Sequence, residues 1–333
     1  MIERGESFDG YRVERVLGRG GMGVVYEAIQ APLGRRVALK VLRSDLARDP
    51  AFVERFRQEA RLQASVEHPN VLDVYEVVEP KPDELMLAMR LVDGGTLADL
   101  IRAGELDGER ALSLLEQVAA GLDAAHAAGL VHRDLKPQNV LVDSGDHAYL
   151  ADFGLSRASS EATASSRQML GTVDYVSPEV VGGSEPGPAA DLYALAATAF
   201  QCLTGDIVFP RGTDAATLFA HVSEPPPRIS ERRPELPAAL DSVFEQALAK
   251  DPSRRPEGAA AFARLGLAAW LMLVLGIVSA VASFWLLAAT TATRLRALGL
   301  SGWHFAWVVA LGLLGELVRS ETVDTATGLI ASA

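Results

Sequence analysis

The chain has 333 residues, of which 49% are hydrophobic and 6% aromatic, enough to bury the core of one large domain or two modest ones. Its formal net charge is −12, and because residues 265–333 hold equal numbers of acids and bases, the acidic excess lies in residues 1–264. This acidic part lacks the basic surface that nucleic-acid-binding proteins need, so no nucleic-acid partner is expected. A single cysteine, Cys202, excludes an internal disulfide and fits a reducing compartment.

Short β-branched runs separated by turn residues dominate the first ninety residues. They predict five strands: Tyr11–Leu17, Val24–Ile29, Val37–Leu42, Val71–Val78 and Glu84–Met89. One helical stretch, Ala51 to Val66, interrupts them. From Thr96 to Arg264 apolar residues such as Leu115, Val118 and Leu122 recur at helical spacing. Strands followed by helices indicate an α+β protein with a small β-rich lobe and a larger helical lobe.

The glycines of Gly18–Gly23 fit the pattern G-x-G-x-x-G, for which several interpretations compete. A dinucleotide-binding turn needs a helix next and a P-loop needs Lys-Ser/Thr, whereas the strand-like run Val24–Ala28 follows. A glycine turn between two strands, lying over ATP phosphates, has the form G-x-G-x-x-G-x-V, which is met through Val25. An ordinary glycine-rich hairpin stays open as an alternative.

Lys40 stands in the apolar run Val37–Lys40, and lysines are rarely buried without a partner. One interpretation is an edge lysine whose stem is buried and whose head is in water. The other is an ion pair with Glu59, on the predicted helix, that points the ammonium toward the α- and β-phosphates.

The stretch His132–Asn139 meets the pattern H-R-D-L-x-x-x-N in full. Asp134 is expected to accept the proton of a substrate hydroxyl and to orient its oxygen toward the γ-phosphate. Lys136 is expected to offset the charge of the transferred group. Asn139 offers a carbonyl oxygen, a hard ligand that suits Mg²⁺.

Asp152-Phe153-Gly154 follows the catalytic stretch, and its carboxylate is the second expected metal ligand. Any one of these motifs alone is compatible with a polar turn. Their occurrence together and in this order is specific.

With these motifs the chain resembles the protein kinase superfamily, and specifically the bacterial eukaryotic-like, membrane-linked serine/threonine kinases. The resemblance is carried by Gly18–Tyr26, His132–Asn139 and Gly171–Glu179, and it covers about Tyr11 to Arg264. It implies the two-lobed protein kinase fold. It also implies transfer of the γ-phosphoryl group of ATP to protein Ser/Thr hydroxyls with Mg²⁺, Mn²⁺ being possible.

The resemblance further implies an ATP site, with Met89 behind the adenine and a hinge from Arg90 to Val92. Adenine is expected to bond the carbonyl of Arg90 and the carbonyl and N–H of Val92. The family usually has glutamate at the position of Arg90, but only backbone is read there. The expected ATP-binding residues are Leu17, Gly18, Arg19, Gly20, Gly21, Met22, Gly23, Val24, Val25, Ala38, Lys40, Glu59, Met89, Arg90 and Val92.

Other positions of the resemblance carry structural expectations. Glu179 is expected to pair with Arg255, and Asp191 to hold the backbone of the catalytic loop. Gln63 lies one turn after Glu59, where a hydrophobic residue is common. It is expected to loosen the helix and to leave an inactive form better populated.

Arg133 precedes Asp134, and in the family such an arginine binds a phosphate group on the activation loop. The loop contains several Ser and Thr residues, which also suit a merely flexible loop. Activation by autophosphorylation, with a possible homodimer acting in trans, is expected. The candidate phosphosites are Ser165 and Ser166, then Thr163, and Thr172, which is expected rather to contact Asp134 and Lys136.

The apolar run Leu265–Ala289 has 25 residues without charge and predicts a transmembrane helix. A second run of 19 residues, Ala297–Gly315, predicts a second span, with an interfacial helix as the alternative. Residues 1–10 and 316–333 are expected to be short tails. The protein is expected in the cell membrane, the bacterial inner membrane, with residues 11–264 in the cytoplasm.

Two rival functions are disfavoured by the sequence. A pseudokinase scaffold predicts loss of Lys40, Asp134 or Asp152, and all three are present. A small-molecule kinase of similar fold is disfavoured by the activation loop that ends in Gly171–Glu179.

Overall fold

The structure is a computed structural model that describes residues 5–81, 83–153 and 173–268. All of these lie in the first of two units into which the chain divides, residues 1–270 and 271–333. The described part has a small lobe built on a β-sheet and a larger lobe built of helices, as the sequence pattern predicts.

The small lobe is a six-stranded antiparallel sheet in the order β1-β2-β3-β4-β6-β5. Its strands are β1 Ser7–Phe8, β2 Tyr11–Gly20, β3 Gly23–Gln30, β4 Arg35–Leu42, β5 Val74–Lys81 and β6 Glu84–Arg90. The predicted strand from Val71 begins later, because Val71 pairs with Leu150 of the other lobe. Part of the predicted N-terminal tail is a strand, since Ser7–Phe8 pairs with β2.

Two helices follow β4, α1 Ser44–Ala47 and α2 Pro50–Ala64. The Asp49 carboxylate accepts from the N–H of Ala51, and proline at the first position suits a helix start. The buried side chains recur every three or four residues and form one face of α2: Phe52, Phe56, Ala60 and Gln63. Gln63 Nε2 donates to Leu72 O at 3.0 Å, so this side chain ties the helix end down rather than leaving it loose, contrary to expectation.

The large lobe surrounds a central helix, α6, most of whose residues are buried. Its helices are α3 Leu97–Ala103, α4 Gly108–Ala127, α5 Pro178–Val181, α6 Pro188–Thr204, α7 Asp214–Ser223, α8 Ile229–Arg232, α9 Ala239–Ala247 and α10 at residues 259–268. Three strands form a second antiparallel sheet: β7 Gly94–Thr96, β8 Val140–Asp143 and β9 Ala148–Leu150.

The loop after α2 rests on β9 and joins the two lobes. Leu72 N donates to Leu150 O at 2.9 Å, and Leu150 N donates to Asn70 O at 2.8 Å. The Asn70 side chain, which is buried, adds a bond to Ala148 O at 2.9 Å. Movement of this loop is thereby linked to the segment that leads into Asp152.

The helix at 259–268 is fastened to α4 at its first turn. Asp123 accepts from the backbone N–H of Ala259 at 2.8 Å and of Ala260 at 2.9 Å. A carboxylate at this end satisfies two free N–H groups and complements the helix dipole. Phe262 is buried in the core of the large lobe, so this helix is part of that core.

The membrane expectations fall almost wholly on residues the structure does not describe. Of the predicted span Leu265–Ala289 only residues 265–268 are described, and they are helical; the run Ala297–Gly315 and the tail at 316–333 lie outside. Among the described residues, none of the helices is both long and apolar enough to cross a membrane.

Candidate active site

The predicted phosphate-covering residues, Leu17–Val25, lie on β2, on its turn and on β3. Gly20 pairs with Gly23, and the next residues continue as a strand, so the dinucleotide-turn and P-loop interpretations are wrong. A Cβ at Gly23 would lie 2.0 Å from Val41 O, so only glycine fits there. Arg43 N donates to Met22 O at 2.8 Å and holds the turn against the end of β4.

Apolar residues of both lobes meet in one cluster at the cleft where adenine is expected. Ala38 stands opposite Met89 in the β4–β6 ladder, and both belong to one hydrophobic cluster. The other members at the cleft come from both lobes: Val25, Val92, Leu141 and Ala151. Leu141 and Ala151 were not predicted from the sequence, although an apolar residue two positions after Asn139 and another directly before Asp152 were signals that could have found them.

The Arg90 side chain braces the hinge instead of entering the cleft. Its guanidinium lies 4.8 Å from the centroid of the Tyr149 ring, and its Nη1 is 3.4 Å from Asp73 Oδ2. Its backbone N–H donates to Asp73 O at 3.0 Å. The adenine bonds to backbone atoms of Arg90 and Val92 stay predictions.

Lys40 is buried, with 8% of its side chain exposed, and its Nζ donates to Asp152 Oδ1 at 2.7 Å. The edge-lysine interpretation is therefore wrong. Burial raises the pKa of Asp152, but the charge and hydrogen bond of Lys40 outweigh it and hold that pKa below its usual range. Asp152 has a φ of +61°, a conformation uncommon outside glycine that aims its carboxylate at Lys40.

The predicted Lys40–Glu59 pair is also wrong for this structure. Glu59 Oε1 instead accepts from Arg133 Nη1 at 2.5 Å, while Glu59 Oε2 is buried without a hydrogen-bond partner among the described residues. Burial raises the pKa of Glu59, and Arg133 opposes that rise. Two ion pairs, Lys40–Asp152 and Arg133–Glu59, thus stand in place of the expected one.

The catalytic side chains converge on Asp134. Its carboxylate accepts from Lys136 Nζ at 2.8 and 3.0 Å and from Asn139 Nδ2 at 3.1 Å. Asn139 Nδ2 also donates to Asp134 O at 2.7 Å, which leaves Asn139 Oδ1 as its remaining ligand atom. Ala151 N donates to Asn139 O at 2.9 Å, so the two expected metal ligands, Asn139 and Asp152, are neighbours.

Asp191 of α6 holds the catalytic loop, as expected. It is 1% exposed and accepts from His132 N at 2.7 Å and Arg133 N at 2.8 Å. These bonds fix Arg133 at a φ of +65°. His126 of α4, which was not predicted from the sequence, adds a third contact to Asp191 at 2.8 Å.

This arrangement of cleft, lysine and catalytic loop agrees with comparison to known proteins. The family described as protein kinase domain matches residues 11–264. The chain belongs to the protein kinase family.

Serine/threonine-protein kinase PknJ of Mycobacterium tuberculosis is 42% identical to this kinase over 275 residues, 80% of this chain and 46% of that protein. Serine/threonine-protein kinase PknE of the same species is 40% identical over 253 residues, 75% of this chain and 44% of that protein. The crystal structure of the M. tuberculosis PknI kinase domain has a TM-score of 0.66 at 33% identity, covering 81% of this chain and all of that one. The kinase spans about half the length of the curated relatives it matches.

The buried pair of the kinase large lobe is formed as expected. Arg255 donates to both oxygens of Glu179 at 2.7 Å, and its side chain is fully buried. The candidate phosphosites, Thr163, Ser165, Ser166 and Thr172, lie outside the described residues, as does Gly154.

Proposed function

We propose that this chain is a serine/threonine protein kinase that transfers the γ-phosphoryl group of ATP to Ser and Thr hydroxyls of proteins. The observation that carries the proposal is the meeting of Lys40, from the small lobe, with the acidic and amide groups of the large lobe. Lys40 contacts Asp152, and Asp134, Lys136 and Asn139 form one hydrogen-bonded group beside it.

In this proposal the protein contributes mainly position and charge. The Asp134 carboxylate receives the proton of the substrate hydroxyl and aims its oxygen at the γ-phosphorus. Lys136, already 2.8 Å from Asp134, offsets negative charge on the group in transfer. The apolar cleft around Ala38 and Met89 holds the adenine ring and keeps water from it.

Mg²⁺ fits the oxygen donors of the site, and Mn²⁺ prefers similar ligands. Asn139 Oδ1 and the Asp152 carboxylate would hold it, since the Asn139 amide nitrogen is already committed to Asp134. When bound, the ion neutralises charge on the β- and γ-phosphates.

The two exchanged ion pairs describe a resting arrangement. Transfer requires Lys40 to pair with Glu59, which in turn requires Glu59 to leave Arg133. We propose that a phosphate on Ser165 or Ser166, added by a second copy of the chain, claims Arg133 and releases Glu59. Glu59 Oε2, which has no hydrogen-bond partner among the residues that the structure describes, is then ready to accept from Lys40.

We further propose that the protein is anchored in the bacterial inner membrane with its kinase domain in the cytoplasm. The support is the sequence: Leu265–Ala289 contains no charge, and Arg254, Arg255 and Arg264 precede it. Cytosolic ATP also requires the active site on that side.

The proposal is tested by incubating the purified full chain with Mg²⁺, γ-labelled ATP and a general protein substrate such as myelin basic protein. We expect label in phosphoserine and phosphothreonine after acid hydrolysis. Lys40→Met should lose the label, while Lys81→Met, the same change at an exposed lysine paired with Glu84, should keep it. Absence of label in wild type, or equal labelling in Lys40→Met, would overturn the function.

A further inference from the structure

Gln63 is the one polar member of the buried face of α2. It is 5% exposed and follows Phe52, Phe56 and Ala60 along that face. A buried amide needs a hydrogen-bond partner, and Gln63 Nε2 finds it at Leu72 O, 3.0 Å away. The bond therefore fixes where the C-terminal end of α2 lies.

The partner of Gln63 is itself tied to the active site. Leu72 N donates to Leu150 O at 2.9 Å, and Leu150 precedes Asp152 by two residues. The chain of contacts runs from Gln63 through Leu72 and Leu150 to the carboxylate that pairs with Lys40.

Glu59 lies one turn before Gln63 on the same helix, and in this structure it contacts Arg133 rather than Lys40. We propose that Gln63 is a positioning residue: its bond to the Leu72 carbonyl holds α2 where Glu59 reaches Arg133, and so opposes the Lys40–Glu59 pair. The inference rests on the proposed phosphoryl transfer. A shift of α2 that separates Gln63 from Leu72 leaves a buried amide and a buried carbonyl unpaired, which disfavours the shift.

Gln63→Met tests this role, because methionine is also unbranched and suits a buried site but cannot donate a hydrogen bond. Gln58→Met is the matched control, since Gln58 is exposed on the same helix one residue before Glu59. The full chains are first treated with phosphatase, so that only the resting arrangement is compared. Initial autophosphorylation rates and kcat and KM for ATP are then measured.

We expect Gln63→Met to raise kcat of the phosphatase-treated chain by about 10-fold, the effect of one buried hydrogen bond on a two-state equilibrium. Gln58→Met should match wild type. A gain of rate is the informative readout, because a residue that only supports the fold does not raise kcat when it is replaced. Gln63→Leu is a second variant of similar apolar character, and it should show the same gain.

The outcomes separate this inference from the proposed function. If wild type transfers phosphate and both folded Gln63 variants are equal to it or slower, the inference fails and the kinase function stands. Loss of the fold in both variants, seen by thermal melting, also contradicts it, because Gln63 then supports the fold instead of choosing between two positions of α2. If wild type transfers no phosphate, both fail.

Discussion

Arg133 Nη1 donates to Glu59 Oε1 at 2.5 Å, a contact that joins the helix of the small lobe directly to the catalytic loop. Lys40, left without Glu59, binds Asp152 instead. The residues expected to act on ATP are thus present and close together. Two of them, Lys40 and Asp152, form an ion pair with each other. In the proposal made above, activation is an exchange of partners among these four charged side chains rather than the assembly of a new site.

Asp134→Asn and Asp152→Asn are expected to abolish phosphoryl transfer while the fold stays intact. Asp134 is the proposed proton acceptor, and such groups contribute about 10²–10⁴-fold in rate. The measurement is kcat with a protein substrate, together with the melting temperature. Asp206→Asn, at an exposed surface pair with Arg232, serves as the surface control. Near-normal autophosphorylation by Asp152→Asn would contradict the assignment of the metal ligand.

The double replacement of Ser165→Ala with Ser166→Ala is expected to lower activity toward an added substrate by roughly 10-fold, because charge-assisted bonds to Arg133 are lost. Mass spectrometry of the wild-type chain after incubation with ATP should find phosphate at one of these residues. Thr213→Ala, at the start of α7, is a control for loss of a hydroxyl elsewhere. Equal activity of double mutant and wild type would show that another site, or none, is used.

Breaking the Glu179–Arg255 pair should be costly, because the Arg255 side chain is fully buried. Glu179→Ala leaves that charge without its carboxylate, and we expect a loss of about 3–5 kcal/mol in the free energy of unfolding. Urea denaturation measures it. Glu235→Ala removes an exposed ion pair with Arg233 and should leave the free energy of unfolding nearly unchanged. Similar losses in the two variants would refute the distinction between buried and exposed pairs.

Lys250 predicts a dependence of stability on pH. Its Nζ donates to His221 O at 2.7 Å, and burial, helped by repulsion from Arg255, lowers its pKa from 10.5 to about 8. Between these values the unfolded chain binds the proton and the folded chain does not, so this lysine makes stability rise with pH. Below about pH 8 both states carry the proton, and the contribution no longer changes with pH.

Lys250→Met should remove this rise. The difference in melting temperature between wild type and Lys250→Met is expected to shift in favour of wild type from about pH 7 to about pH 9.5. Lys81→Met, at an exposed lysine paired with Glu84, should follow wild type over the same interval. Parallel curves for all three proteins would mean that Lys250 keeps its proton in the folded chain.

The number of membrane spans is open to a labelling test. In a Cys202→Ser background, a cysteine placed at Ser332 reports the side of the C-terminus, because Cys202 is the single native thiol. If Leu265–Ala289 and Ala297–Gly315 both span, a membrane-impermeant maleimide should not label Ser332→Cys in intact cells. A cysteine at Thr291 is the outer-loop control. Comparable labelling of the two positions would refute the second span.

The sequence predicted most of the small lobe because its strands are short apolar or β-branched runs and its turns carry glycine or polar residues. Strands β2, β3, β4 and β6 fall within a few residues of their predicted bounds. Strand β5 was placed too early, because Val71 has strand character but pairs across the lobes with Leu150. Pairing between distant segments leaves no mark on local periodicity.

The site residues could also be predicted, since they belong to motifs that occur together and in a fixed order along the chain. Asp191 and the Glu179–Arg255 pair are placed as predicted. The partner of Glu59 could not be predicted from the sequence, because two cationic side chains, Lys40 and Arg133, can pair with this carboxylate. Which one it meets depends on the position of a whole helix, which no local motif sets.

The cap that Asp123 gives to the helix at 259–268 determines where the protein can be cut. A fragment that ends before residue 259 removes the two N–H donors of the Asp123 carboxylate. It also exposes the Phe244 ring, against which Phe262 packs. A fragment ending at Arg264 keeps both contacts but shortens the helix beside Leu112, which Gly266 approaches. Catalytic fragments for crystallisation should therefore extend to residue 268, into the first residues of the apolar run.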